Sequence, residues 1–158
     1  MRKLWIVAIA VLAVAIVAAA GAATKKPIAF TAKYTGTATT KTADTTVTIN
    51  ANGTGKGLIV GAGKITGAGT ADSSQRPCVP FIGTGKMSGA GGTIIFKVKP
   101  GTIGCGDEAG SVFSITGKAT VVKATGKLLA KRVGTLKMTG IYDRDSGAFT
   151  IKFTGSLV

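Results

Sequence analysis

The run FSITGKATV at residues 113–121 decides the fold. Phe113, Ile115, Gly117, Ala119 and Val121 fall on one parity, and Ser114, Thr116, Lys118 and Thr120 on the other. Successive side chains of an extended chain point to opposite faces, so this alternation predicts a half-buried strand. After a break at residues 123–132 the phase returns in TLKMTGIY at 135–142, with Leu136, Met138, Gly140 and Tyr142 alternating with Thr135, Lys137 and Thr139. A turn, DRDSG at 143–147, leads into FTIKFTGSL at 149–157, where Phe149, Ile151, Phe153, Gly155 and Leu157 oppose Thr150, Lys152, Thr154 and Ser156. One face of such a sheet is apolar and the other a Thr/Lys surface in water.

The same grammar extends towards the N-terminus. Phe30, Ala32, Tyr34, Gly36 and Ala38 alternate with Thr31, Lys33, Thr35 and Thr37 in a first strand that ends in the polar run 39–44. Val47, Ile49 and Ala51 make a second, and Asn52-Gly53 is a hairpin signal. Glycines then recur at spacing two in three groups, Gly53, Gly55 and Gly57, then Gly61 and Gly63, then Gly67 and Gly69, a pattern of strands that bend sharply or approach a neighbour closely. Val79, Phe81, Gly83, Gly85 and Met87 predict the next strand, and Ile94, Phe96 and Val98 another, stopped by Pro100-Gly101. Residues 102–110 read as a loop holding Cys105, Asp107 and Glu108. Eight or nine short strands, with no helical periodicity after the opening residues, predict an all-β protein. The expected architecture is an antiparallel β-barrel of about eight strands, with a β-sandwich as the alternative.

Residues 1–23 read as a segment apart from this domain. Arg2 and Lys3 precede an uninterrupted apolar run from Leu4 to Ala20, and Ala20-Gly21-Ala22 has the small-residue pattern of a cleavage site. That predicts a signal peptide, with a membrane anchor over residues 4–23 as the alternative. Residues 24–158 form the single domain, expected to be secreted or extracytoplasmic and associated with the cell envelope. In such a compartment Cys78 and Cys105 are expected to pair, and closing that loop stabilises the fold by roughly 3–4 kcal/mol.

The formal net charge is +14 and there is no histidine. The absence of histidine removes the commonest general base and the commonest zinc ligand. No cofactor or metal is implied. Asp143-x-Asp145-x-Gly147 opens like a calcium loop but lacks the later acidic ligands, so it reads as a hairpin turn. Gly-x-Gly pairs without a following helix make no dinucleotide site. Lys118, Lys123, Lys127, Lys131, Arg132 and Lys137 form a cationic run without an intervening acid. Such a face suits an anionic envelope polymer or lipid headgroups. Specific nucleic-acid binding is not expected, because the aromatics share the inward parity and cannot stack on bases.

Lys123-Ala124-Thr125-Gly126-Lys127-Leu128, followed by a small and basic stretch, Gly134 and a strand ending Gly140-Ile141-Tyr142-Asp143, resembles one segment of the dirigent and allene oxide cyclase-like barrels. That family carries Gly-Gly-Thr-Gly-Lys/Arg-Phe-x-x-Ala-x-Gly there, and small exported bacterial proteins with two cysteines are similar. Here Lys123-Ala124 replaces Gly-Gly, Leu128 replaces Phe, and Gly134 comes one residue late. The resemblance implies an eight-stranded antiparallel barrel whose interior holds an apolar small molecule. None of the family's catalytic residues finds a match.

The expected function is therefore a non-enzymatic barrel that binds or shelters a small hydrophobic ligand. Its expected lining is Phe30, Tyr34, Phe81, Phe96, Phe113, Met138, Tyr142, Phe149 and Phe153, interleaved with glycine. The alternative is a structural or adhesive envelope protein using the basic face. A third reading, a cyclase-type enzyme, would have only the inward hydroxyls of Tyr34 and Tyr142 for acid/base work.

Overall fold

The structure, a computed structural model, describes residues 26–158, so the leader expected over residues 1–23 lies outside the described residues. Nine strands follow one another with a single 3-10 turn among them: β1 Ile28–Ala43, β2 Thr46–Gly57, β3 Gly61–Asp72, β4 Cys78–Gly89, β5 Gly92–Val98, β6 Ile103–Gly106, β7 Val112–Thr125, β8 Gly134–Asp143 and β9 Ala148–Leu157. All pair antiparallel in the order β3-β2-β1-β9-β8-β7-β5-β4, and β3 pairs with β4 to close a barrel. Closure removes both sheet edges, which a sandwich would leave to be protected.

Nine strands occupy eight positions because β5 and β6 share one. Both pair with β4 on one side and with β7 on the other. Pro100-Gly101 interrupts the strand, with Gly101 at φ 84°. Thr102 then fixes the interruption to the wall: its Oγ1 accepts from Lys118 N at 3.2 Å and donates to Lys118 O at 3.4 Å. Gly117 makes that possible, since a Cβ there would collide with the Thr102 side chain. Cys105 consequently sits in β6 and not in the loop that its Gly-rich, acidic surroundings suggested.

Two other expectations change. Asn52-Gly53 is no hairpin, because both residues lie within β2, paired with Thr37 and Gly36 of β1. Gly53 is required there by close approach: its missing Cβ would lie against Thr35 O, and that of Gly36 against Asn52 O. The polar run 39–43 continues β1 instead of ending it, since threonines extend as readily as aliphatics.

Elsewhere the parity holds and decides what is inside. Phe30, Ala32 and Tyr34 on β1, Met87 on β4, Ile94 and Phe96 on β5, Leu136 and Met138 on β8, and Phe153 on β9 share one core. The phase slips once, at a bulge where the β5–β7 register shifts between Ile95 and Phe96. Around it Val121 and Ala124 are buried while Val122 and Lys123 are exposed.

The two ends differ. At one end the β2–β3 loop (58–60), the β4–β5 turn (90–91) and the β7–β8 loop (126–133) fold over the interior, inserting Val60 and Leu129, both at 0 % exposure. Burying each of those side chains is worth about 1.5–3 kcal/mol. At the other end lie the β1–β2 turn (44–45), the β3–β4 connection (73–77), the β6–β7 loop (107–111) and the β8–β9 turn (144–147). That end stays open.

Candidate functional site

The open end contains a cavity of about 260 Å³. Its existence follows from which inward residues are small. Towards the closed end the interior is filled by Phe30, Tyr34, Met87, Leu129, Leu136 and Leu157, all at most 2 % exposed. Towards the mouth the corresponding positions are Ala38, Ala51, Gly67, Gly69, Ala71 and Gly83, which cannot meet across the barrel. Strands held at fixed spacing by their ladders cannot collapse onto such a gap, so the space persists.

Ile65, Phe96, Met138 and Phe153, each nearly or fully buried, lie on the wall nearest the filled core. Phe96 and Phe153 pack in a tilted contact, 5.0 Å between ring centroids and 58° between planes. Phe81, Phe113, Ile115, Tyr142, Phe149 and Ile151 continue the wall, with Phe113 and Tyr142 at 6.4 Å. Thr40, Thr42, Ser73, Arg76 and Arg144 lie nearest the rim, and no carboxylate side chain lines the space. An engineered apolar cavity of ~150 Å³ holds benzene, and drug-sized sites begin at ~300 Å³. This one therefore suits a small ring or a short chain.

Seven residues of the expected lining stand on this wall: Phe81, Phe96, Phe113, Met138, Tyr142, Phe149 and Phe153. Phe30 and Tyr34 do not, because their level of the barrel is filled. The Tyr34 hydroxyl is enclosed without any hydrogen-bond partner, and burial pushes its pKa up from 10. Tyr34 and Tyr142 thus do not share one site, so the two hydroxyls do not act as a pair on a molecule in the cavity. Parity alone could not separate wall from plug, since both face inward; the run of small residues from Gly67 to Ala71 is the signal that marks the hollow half.

Beside the cavity, Cys78 and Cys105 form a disulfide with S–S 2.07 Å between directly paired residues of β4 and β6. Their neighbours Val79 and Gly104 line the cavity, so the bridge ties short β6 into the wall. Rim turns are set by carboxylates. Asp143 Oδ1 accepts from Asp145 N at 2.9 Å and Ser146 N at 3.1 Å, so the calcium-like spacing closes the β8–β9 hairpin. Asp72 Oδ1 accepts from Ser74 Oγ at 2.6 Å and Ser74 N at 3.0 Å, capping the 3-10 turn. Asp107 Oδ1 accepts from Ser111 N at 2.8 Å and Val112 N at 3.2 Å.

The cationic run divides between two places. Lys118 and Lys137 face each other across β7 and β8 on the barrel wall. Lys123, Lys127 and Lys131 are exposed at the closed end. Arg132 is not a free cation. Its Nε donates to Leu128 O at 2.7 Å, and its Nη1 to Lys26 O at 2.8 Å and Leu157 O at 3.2 Å, which ties the β7–β8 loop to both ends of the domain. No family model, curated protein or solved structure matches this chain.

Proposed function

We propose that this protein is an exported carrier that holds a small apolar molecule in the open end of the barrel without transforming it. The observation that carries the reading is the cavity of about 260 Å³, walled by Phe81, Phe96, Phe113, Tyr142, Phe149 and Phe153 and lacking any carboxylate. Binding there is driven by removing apolar surface from water into a preformed space, so little ordering of the protein opposes it. Catalysis finds no support on the same wall. Its polar groups are threonine and serine hydroxyls, Tyr142 and two arginines, with no histidine in the chain to activate any of them.

The Cys78–Cys105 bridge suits an oxidising compartment outside the cytoplasm. The similarity of residues 123–143 to dirigent and allene oxide cyclase-like barrels points to the same hollow interior and transfers no activity. Native mass spectrometry of the protein purified from its own host tests the reading. A bound mass of a small apolar compound, released on collisional activation, is the expected result. A bare polypeptide mass, together with no saturable uptake of an added apolar compound, would overturn it.

A further inference from the structure

Acidic charge is segregated along the barrel axis. The sequence has six acidic residues, and every one of them lies at the open end: Asp44, Asp72, Asp107, Glu108, Asp143 and Asp145. The closed end has no acidic side chain. Instead it exposes Lys56, Lys64, Lys86, Lys123, Lys127 and Lys131 from three different hairpins. Up-and-down connectivity places alternate turns at the same end, so charges far apart in sequence add up there.

The same end exposes large apolar side chains. Leu58 is 66 % exposed, Leu128 63 %, Val133 49 % and Val158 47 %. These tips are held in place. Arg132 fixes the carbonyls of Leu128 and Leu157, and Val133 and Val158 exchange two backbone hydrogen bonds of 2.9 Å. Aliphatic tips set among lysines match the interface of an anionic bilayer, where headgroups take the cations and the acyl boundary takes the tips. A polyanion without an apolar layer would leave the tips in water.

We propose that the closed end docks on an anionic lipid surface, leaving the open mouth facing the aqueous side. The charge asymmetry orients the barrel on approach: the open end sets its six acids against Lys41, Arg76 and Arg144, while the closed end carries lysines with no acid among them. Lys26, exposed and held at the closed end by Arg132, adds a further cation to the docking side. Exchange of a cavity ligand then takes place with water and not with the bilayer. The inference does not depend on the cavity being occupied.

Hydrogen exchange of the full chain on vesicles tests it, comparing phosphatidylcholine alone with mixed phosphatidylcholine and phosphatidylglycerol. Slowed exchange at 126–133 and 58–60 on the mixed vesicles only, reversed by added salt, with 144–147 unchanged throughout, is expected. Each lysine at the surface contributes roughly fivefold, so K123Q/K127Q/K131Q lowers the docked-to-free ratio about a hundredfold. Exchange at the β8–β9 turn reports that the variant remains folded. Equal protection on both vesicle types, protection at the open end, or an unaltered triple variant would overturn the proposal. Equal protection by a soluble polyanion such as dextran sulfate would also overturn it, since that excludes a role for the lipid.

Discussion

Replacing Tyr34 with phenylalanine should make this protein more stable. Tyr34 is at 0 % exposure in the filled half of the barrel, and its hydroxyl makes no hydrogen bond. Enclosing a hydroxyl without a partner costs about 1–3 kcal/mol on protein mutational scales, and phenylalanine keeps the ring and its packing. Tyr34→Phe is therefore expected to gain ~1 kcal/mol or more, read as a higher urea midpoint at unchanged slope. A second signature separates this cause from generic repacking. Burial raises the Tyr34 pKa above 10, so at alkaline pH the unfolded chain releases a proton that the folded one keeps. The unfolded state then binds fewer protons, and stability falls as pH rises from about 10 towards the folded value. Tyr34→Phe should lose that part of the alkaline decline. A variant less stable than the parent by more than ~0.5 kcal/mol, or one with the parent's alkaline slope, would refute the reasoning.

Three further outcomes follow from the same structure. The C78A/C105A double variant should unfold ~3–4 kcal/mol more easily than the oxidised protein, because the bridge closes a separation of 27 residues; urea titration with and without reductant measures the difference. Arg132→Ala should cost about 1–2 kcal/mol, and Arg132→Lys should not restore it, since an ammonium cannot reach three carbonyls as the planar guanidinium does; thermal unfolding of the two variants decides this. Hydrogen bonds hold two exposed carboxyls below their usual range: Asp72 chiefly through the Ser74 hydroxyl and Asp143 chiefly through the Ser146 amide. A depressed folded pKa means stability that is present above the unfolded carboxyl pKa of about 4 and lost as pH falls through the lower folded values. D72N/D143N should flatten that acid limb in a pH series of unfolding curves.

Parity made the barrel legible. Because every strand of a closed sheet has one inward and one outward face, the alternation at Phe113–Val121, Leu136–Tyr142 and Phe149–Leu157 was enough to name most of the interior. It said less about height along the axis. Phe30 and Phe81 share an inward parity, yet one packs in the plug and the other lines the cavity, and only the register between strands separates them. Asn52-Gly53 misled because a turn dipeptide and a close-approach glycine look alike without the partner strand. The split of one strand into β5 and β6 depended on Thr102 fitting over Gly117, a contact between residues that no local pattern joins. The segregation of acids was open to view in principle: once hairpins are counted, alternate turns share an end, and all the acids fall on the same alternation.

Titration with naphthalene, a small neutral apolar fluorophore, bears most directly on the hollow open end. The account predicts saturable enhancement at one probe per barrel, abolished by Ala71→Phe, which fills the space beside Phe81 while leaving the closed end untouched. No saturable binding by the folded protein, or binding that Ala71→Phe leaves intact, would contradict it.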